Sequence, residues 1–476
     1  MQRATRDSAV LLGVLALGVS VGVAPVFAEV QNVKVGGDIT IRAFHRENLD
    51  LHQEDEVLGG VASTLDDEDD FLMSTTGINI GADLTENVSG FIRLANERDW
   101  DSTSTEASGD FDVSQAYITL KELFYSPLTL RIGTQPIVWG RGFVLGSALI
   151  PSVLAMGDDR NASISANEFT DFTAFDAIRA TLDLSGIAGL GVPLTVDTVY
   201  IKLDENTIGT PDDLNLMGVN LGTRFDAMNS EAEFYYLNKR DKSPSTPAQP
   251  DDNEGSVNTF GLRGSAQPME GCYVYGELAY QFGRRAADPS GAIDAGDSQQ
   301  GWAVDLGAEH TFTEAAWTPK FGGEWIYYSG NEDDTGAVAG WDPIARGYFT
   351  TAIREFETAT AGGFYGTDQA GDTAAATNQH QLALYGSLKP LEDLTASSRL
   401  TWFILDDGSI PVTGSKRRSF AGTEWDTQVV YNYTDDVQFG LIYALFNPGN
   451  VYRTAVSSTS GDSTAQELIT SVSLKF

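Results

Sequence analysis

The sequence predicts an all-β protein, a transmembrane antiparallel up-and-down β-barrel of about 18 strands with short periplasmic turns and long extracellular loops. Three observations predict this fold class. The chain ends in a segment of alternating apolar and polar residues, and this alternation recurs along the sequence. The connectors between the alternating segments are short and long in turn. Beyond residue 28 no run of about 18 apolar residues occurs, so only strands could cross a bilayer.

Each predicted strand has the period of two that places successive side chains on opposite faces of a sheet. In the last segment Leu468, Val472, Leu474 and Phe476 share one face, and the terminal aromatic residue suits a strand that closes a barrel against its first strand. The eighteen segments with this alternation are 33–47, 71–85, 88–98, 112–122, 128–136, 173–185, 192–203, 214–226, 229–239, 256–267, 272–283, 300–312, 318–330, 378–389, 393–406, 419–432, 436–446 and 466–476.

The connectors alternate strictly in length. Eight are short: 86–87, 123–127, 186–191, 227–228, 268–271, 313–317, 390–392 and 433–435. Nine are long: 48–70, 99–111, 137–172, 204–213, 240–255, 284–299, 331–377, 407–418 and 447–465. All short turns therefore lie at one end, as in outer-membrane barrels, and an even number of strands places both ends of the mature chain in the periplasm.

The beginning of the chain predicts a secretory signal peptide. A basic start is followed by an apolar run that ends in small residues before Glu29, so we expect a signal peptide at 1–28 and a barrel at 29–476, located in the cell outer membrane. The single cysteine, Cys272, excludes an internal disulfide. The net charge of −37 argues against a nucleic-acid partner bound through its phosphates.

The apolar face of the strands is suited to lipid. Val274, Leu278, Tyr280 and Phe282 line one face of a strand, and tyrosines and tryptophans near strand ends fit the interfacial girdles of a membrane barrel. The predicted partners are outer-membrane lipid and lipopolysaccharide. The alternative is a soluble sandwich whose core these residues fill. No sequence feature distinguishes a monomer from a trimer.

The first long connector, 48–70, contains nine carboxylates and no Lys or Arg. Its run Asp66–Asp70 could hold Ca²⁺ or Mg²⁺ near lipopolysaccharide, because hard cations prefer carboxylate oxygens. The spacing is not that of an EF-hand loop. The alternative is a solvated charge run that binds no metal, and no other cofactor is predicted.

Seven strands carry an arginine on the face opposite their apolar residues: Arg42, Arg93, Arg131, Arg179, Arg224, Arg263 and Arg399. A lipid-facing arginine at mid-height costs about 2–4 kcal/mol, so these side chains are expected to point into the barrel. The same face carries the carboxylates Asp38, Asp183, Glu231, Glu233, Glu277, Asp305, Glu309, Glu324, Glu424 and Asp426. Two interpretations remain open: a salt-bridged lumen that keeps the barrel closed, or a ladder of cations that attracts anionic solutes.

The long connector 137–172 is unusually apolar, and such a run is poorly placed in water. We expect it to fold into the mouth or lumen and narrow the channel, with Arg141 as a further pore-lining charge. The alternative is that it packs against the barrel wall without gating anything.

The run Leu130-Arg-Ile-Gly-Thr-Gln-Pro-Ile-Val-Trp-Gly-Arg-Gly-Phe-Val-Leu-Gly146, followed by Phe175-Asp-Ala-Ile-Arg-Ala-Thr-Leu182, resembles the alginate-export family of outer-membrane porins. In that family a strand close to LRxGRQ, a loop with glycines and a strand close to FDGxR recur. The resemblance implies an eighteen-stranded barrel with an arginine-rich, anion-selective lumen, and it singles out Arg131 and Arg179 as lumen cations. The chain departs from the pattern at Thr134, where the family often has Arg, and in its many inner-face carboxylates.

The predicted function is a porin-like channel for diffusion or export of polar, anionic solutes or polysaccharide, and not an enzyme. One alternative is a surface receptor or adhesin that uses the long acidic loops. The other is a barrel enzyme without an open pore. Its bases would come from His45, His52, His310 and His380, none of which lies in a recognisable nucleophile motif.

Overall fold

The computed structural model describes residues 32–49, 51, 57–58, 61–62, 68–100, 111–124, 127–148, 166–186, 192–204, 213–242, 254–286, 298–330, 337–338, 340–355, 377–409, 418–452 and 463–476. The predicted signal peptide, most of connector 48–70, and residues 149–165 of connector 137–172 lie outside these ranges.

Eighteen long strands form one sheet in which each strand pairs antiparallel with its neighbours in the chain. The first nine are β1 (Asn32–Glu47), β2 (Glu68–Thr85), β3 (Val88–Asp99), β4 (Asp112–Leu120), β5 (Leu128–Gln135), β6 (Phe175–Asp183), β7 (Leu194–Asp204), β8 (Leu214–Phe225) and β9 (Ser230–Lys242). The others are β10 (Glu254–Met269), β11 (Cys272–Arg284), β12 (Ser298–Thr311), β13 (Lys320–Tyr328), β14 (Gln379–Leu391), β15 (Leu394–Ser409), β16 (Arg418–Asn432), β17 (Val437–Pro448) and β18 (Ala465–Lys475).

The predicted fold class is confirmed, including the number of strands. Short and long connectors alternate except at 184–193, which has ten residues and is followed by a connector of nine residues, 205–213. The connectors contain smaller elements: a hairpin of two two-residue strands, Val57–Leu58 and Val61–Ala62, a short strand at Ala337–Val338, and 3₁₀ turns at Asn167–Phe169 and Ala227–Asn229. Within the described ranges, no helix has the length and apolar character needed to cross a bilayer.

The barrel closes where the first strand meets the last. β1 pairs with β2 on one side and with β18 on the other, in a register that runs from Asp38 opposite Lys475 to Glu47 opposite Gln466. The backbone N–H of Phe476 donates to the carbonyl of Gly37 at 3.0 Å, and Gly37 N–H donates to the Phe476 carbonyl at 2.9 Å. Closure pairs the two edges of the eighteen-stranded sheet with each other, as a lipid environment requires.

The two faces of the barrel differ as the alternation predicts. Outward side chains such as Leu384 (62%) and Phe321 (60%) are exposed on the barrel surface, as expected for residues that face lipid. Inward residues such as Tyr235, Tyr328 and Phe403 are fully buried. Their burial requires that something fills part of the lumen.

The seam between β1 and β18 should tolerate no added bulk. A Cβ at Gly37 would lie 2.5 Å from the Gly77 carbonyl oxygen and 2.9 Å from the Phe476 ring, whereas a Cβ at Gly90 would meet nothing within 4 Å. We expect Gly37→Ala to lower the free energy of unfolding by about 1–3 kcal/mol, as overpacking typically does. Thermal unfolding in detergent micelles measures this, with Gly90→Ala as the control. Equal stability of the two variants would contradict the close seam.

Candidate functional site in the barrel lumen

Residues 137–148, here called lumen segment 1, lie inside the barrel. Trp139, Phe143 and Leu145 are buried in the same apolar cluster as inward residues of the wall. Trp139 Nε1 donates to Asp197 Oδ2 of β7 at 2.9 Å, and Gly140 N–H donates to Glu233 Oε2 of β9 at 3.1 Å. The apolar side chains of this connector therefore pack against the inner wall of the barrel.

Residues 340–355, lumen segment 3, lie beside segment 1. Gly347 N–H donates to the Gly142 carbonyl at 2.8 Å, and Gly146 N–H donates to the Ala345 carbonyl at 2.7 Å. A Cβ on Gly347 would lie 2.4 Å from the carbonyl carbon of Gly146, so the two backbones cross at a distance that only glycine permits. Sequence analysis missed this segment, although the apolar residues Trp341 and Ile344 in a long connector were the same signal that identified segment 1.

Segment 3 is fixed to the wall by buried ion pairs and hydrogen bonds. Asp342 accepts from Lys239 Nζ at 2.9 Å and lies 3.5 Å from Arg285. Burial alone would raise the pKa of Asp342, but these two cations outweigh it and lower the pKa. At the other end Glu424 of β16 accepts from the backbone N–H groups of Ile353 at 2.6 Å and Arg354 at 3.0 Å. The segment thus spans the lumen side of β9 to β16.

Residues 166–174, lumen segment 2, contact the opposite arc of the wall. Glu168 pairs with Arg46, which also donates to Glu467 of β18 at 2.6 Å. Asp171 pairs with Arg93 of β3 at 2.7 Å. Three connector segments are therefore held inside the barrel by carboxylate contacts.

Six of the eight arginines predicted to line the pore are paired with carboxylates. Arg93 lies 2.8 Å from Asp38 and 2.7 Å from Asp171; Arg179 lies 2.8 Å from Asp197; Arg224 lies 3.0 Å from Glu231; Arg263 lies 3.2 Å from Glu231 and 2.6 Å from Glu233; Arg141 lies 3.6 Å from Asp305 and 3.3 Å from Glu324; and Arg399 pairs with Glu324. Of the eight, only Arg224 is mostly exposed, at 80%, where β8 meets its short turn. For these six residues the charge is compensated locally.

Arg42 and Arg131 form no ion pair with any residue in the part of the chain that the structure describes. The Arg42 guanidinium lies 4.4 Å from the centre of the Phe169 ring and donates to Thr75 Oγ1 at 3.4 Å. The Arg131 guanidinium lies 4.6 Å from the centre of the Tyr117 ring, and its Nε donates to Thr119 Oγ1 at 3.3 Å. Aromatic faces and hydroxyls orient both cations. Arg42 also lies near Glu97 and Glu168, whose charges act on it.

Arg131 also stands directly opposite Arg179 in the register of β5 and β6. Like charges placed directly opposite each other in a sheet destabilise it. Asp197 removes most of this repulsion, because its carboxylate accepts from Arg179 Nε at 2.9 and 3.0 Å. The uncompensated charge of the pair is therefore that of Arg131.

Arg141 is the cation that segment 1 contributes to the lumen. Its guanidinium lies 3.6 Å from the centre of the Tyr275 ring and 4.5 Å from that of Tyr348, between Asp305 and Glu324. Burial would lower the pKa of Arg141, but the surrounding tyrosines and carboxylates together raise it. This side chain joins segment 1 to β12 and β13.

Two cavities adjoin these elements. One, of about 440 Å³, lies at the short-turn end and is lined by Asp183, Arg224, Glu231 and Glu233 among others. The other, of about 250 Å³, lies between segments 2 and 3. The lumen approach from the short-turn end therefore carries charges of both signs.

The acidic connector predicted as a cation site is described only in part. Among the residues that the structure describes, one group of three metal-ligating side chains comes together: His45, Glu68 and Asp70. His45 Nδ1 lies 2.7 Å from Asp70, and Nε2 lies 3.3 Å from Glu47. Glu68 and Asp70 are exposed and His45 half-exposed, so internal hydrogen bonding accounts for the group without a metal.

A closed antiparallel barrel of eighteen strands, apolar outside and charged inside, defines the class of outer-membrane porin-like channels. The family model described as Alginate export matches residues 64–466. The chain therefore belongs to the alginate-export family.

Solved porin structures share the fold. OccK9 (OpdG) of Pseudomonas aeruginosa is 11% identical with a TM-score of 0.54, over 94% of this chain and 99% of that chain. A BenF-like porin from Pseudomonas fluorescens Pf-5 is 11% identical with a TM-score of 0.54, over 94% and 100%. OccK2 (OpdF) of Pseudomonas aeruginosa, in complex with glucuronate, is 13% identical with a TM-score of 0.50, over 93% and 98%. No curated protein sequence matches the chain.

Removing Arg141 should loosen segment 1. Loss of one partner of a buried ion pair costs about 3–5 kcal/mol. Because Arg141 is 22% exposed, we expect Arg141→Ala to lower the free energy of unfolding by about 3 kcal/mol at most. Unfolding in detergent micelles measures the loss. Arg224→Ala, at an exposed pair, should cost less than about 1 kcal/mol, and an equal loss in both variants would contradict the anchoring role of Arg141.

The anchoring of segment 3 should weaken in acid. Burial would raise the pKa of Glu355, but Arg346 and the hydrogen bonds from Thr350 and Gln381 outweigh it and lower the pKa from 4.5 to about 2. A carboxyl with a depressed pKa contributes stability above its unfolded-state pKa and loses it as pH falls through the folded-state pKa. Wild-type stability should therefore fall between about pH 4.5 and pH 2.

Glu355→Gln tests this assignment, because an amide cannot titrate. The variant should be less stable than the wild type at pH 7, and the difference should shrink as the pH falls toward 2. Unfolding temperatures measured across this range decide the matter. A difference that stays constant with pH would assign the acid sensitivity to other carboxylates.

Proposed function

We propose that the protein is a passive channel that favours polar, anionic solutes, including acidic polysaccharide, with Arg131 as the main cation of its path. The observation that carries this proposal is the lack of a carboxylate partner for Arg131 in the described part of the chain, next to the paired Arg179. An uncompensated cation on a water-filled wall raises the local concentration of anions.

The position of the lumen segments supports a path along β4 to β6. Segments 1 and 3 cover the inner side of β7 to β16, where Asp305, Thr401 and Glu424 are fully buried. On the opposite arc Arg179 keeps 27% of its side-chain surface exposed, and Arg131 is partly exposed. Narrowing of the channel by segments 1 and 3 is part of the same proposal.

The two interpretations of the inner charges then apply at different places. The pairs around Glu231, Glu233 and Glu324 act as a salt-bridged lumen that holds the wall and segments together. Arg131 acts as the attracting cation. Structural likeness to OccK2 (OpdF), solved with glucuronate, agrees with an acidic sugar as the solute class.

A barrel enzyme has less support than a channel. His45 contacts Asp70 and Glu47, His380 lies against the rings of Tyr327 and Trp325, and His310 packs edge-on against Phe312. These contacts are those of structural histidines on the outward face. We also infer that residues 1–28 are removed as a signal peptide and that the long loops face the cell exterior.

Arg131→Ala should reduce anion preference. A unit charge about 4 Å from an ion is worth about 1 kcal/mol in water, so the ratio of anion to cation permeability should fall by a factor of about two to five. Reversal potentials across a planar bilayer under a salt gradient give this ratio. Arg131→Lys keeps the charge and should stay close to the wild type. A reversal potential that is unchanged in Arg131→Ala would remove Arg131 from the path.

A further inference from the structure

Two arginines lie on the outward face of the barrel at the long-loop end, on the two strands that flank β10. The side chains of Arg240 of β9 and Arg284 of β11 are exposed. Ser256 of β10 lies between them, opposite Arg240 on one side and opposite Arg284 on the other. With strands about 4.8 Å apart, the two Cα atoms are separated by about 10 Å, which two arginine side chains can bridge. We call Arg240 and Arg284 the arginine pair.

The arginine pair lies at the height of a membrane interface. Arg240 is ten residues beyond Ser230, where β9 begins at its short turn, and ten residues climb about 25 Å at a tilt of roughly 40°. This is about the full height of the lipid-facing band. The arginines therefore sit where hydrocarbon gives way to lipid headgroups.

The wall just below the pair carries an aromatic girdle. The ring of Phe260 lies 5.1 Å from that of Tyr236 and 5.6 Å from that of Phe282, and Tyr280 lies 4.4 Å from Trp302. Tyrosine and tryptophan concentrate at membrane–water interfaces. The girdle places the arginine pair on the water side of the same interface, independently of the estimate of height.

Neither member of the pair has a carboxylate partner within the described residues. Arg240 Nε donates to Asn238 Oδ1 at 3.2 Å, and Arg284 makes no ion pair there. The neighbouring lysines differ, because Lys242 lies 3.5 Å and Lys202 3.9 Å from Asp213. In a chain with 67 acidic and 30 basic residues, two exposed guanidinium groups without a carboxylate partner among the described residues are available to an external anion.

We propose that Arg240 and Arg284 bind a phosphate group of lipopolysaccharide in the outer leaflet. A guanidinium forks onto phosphate oxygens in a bidentate way, and a basic group near an anionic membrane surface gains about a fivefold affinity. The ligand lies beside the wall at this height, and Ser256 leaves room between the two side chains. The site rests on the outward placement of the long loops, and it is separate from the lumen.

The test compares two double variants with equal change in net charge. Arg240→Glu/Arg284→Glu alters the pair, and Lys121→Glu/Lys389→Glu alters exposed lysines beside short turns at the other end. Each protein in detergent micelles is titrated with fluorescently labelled lipopolysaccharide. We expect the arginine double variant to bind about tenfold more weakly or worse, and the lysine control to stay within about twofold of the wild type. Lipopolysaccharide stripped of its lipid A phosphates should bind the wild type as weakly as the arginine variant binds the intact lipid.

Several results would overturn the proposal. These are an unchanged affinity in the arginine variant, an equal loss in the lysine control, or equal binding of the dephosphorylated lipid. Displacement of the lipid by millimolar inorganic phosphate would assign the arginines to free phosphate instead. A smaller assembly with unchanged lipid affinity would assign them to a contact between copies of the chain. Arg240→Gln/Arg284→Gln repeats the test without charge reversal, and unaltered single-channel conductance in both arginine variants verifies a correctly folded barrel.

Discussion

The closure of β1 against β18 is the constraint on which the rest of the structure depends. A bilayer offers no hydrogen-bond partner to an open strand edge, so a sheet in lipid must satisfy every backbone group within itself. The seam from Asp38–Lys475 to Glu47–Gln466, continued by Gly37 and Phe476, completes that requirement. Once the sheet is closed, each strand has one face in lipid and one in the lumen, and at the height of the hydrocarbon charged side chains can occupy only the second.

Concentrating charge inside a barrel creates a problem of compensation, and the structure solves it with carboxylates that serve two partners. Glu324 of β13 pairs with Arg399 of the wall and with Arg141 of segment 1. Asp197 of β7 pairs with Arg179 of the wall and accepts from Trp139 of segment 1. The groups that set the charge of the lumen are thus also those that hold its inner segments. A change in one function is expected to disturb the other.

The strands could be predicted from the sequence because period-two alternation is a local property that lipid and lumen impose on every strand. It could not give the charge state of the lumen, because compensation is decided by contacts between residues distant in the chain. Arg93 forms ion pairs with both Asp38 of β1 and Asp171 of segment 2. Arg131 lies on a strand with the same alternation, but among the described residues it contacts an aromatic ring and no carboxylate. The position of segment 3 in the lumen could have been predicted from the sequence. Its buried Trp341 and Ile344 are apolar residues in a long, polar connector, as Trp139 is in segment 1.

Three arginines without a carboxylate partner among the described residues lie where water or an external anion can reach them. Arg131 faces the lumen on the arc that segments 1 and 3 leave uncovered, and Arg240 and Arg284 face outward at the level of the lipid headgroups. In the buried part of the lumen the cost of an unpaired charge is several kcal/mol, and there Arg346 is paired with Glu355. An unpaired arginine in such a barrel is therefore informative, because a buried one would cost several kcal/mol, so it lies where water or an external anion can reach it.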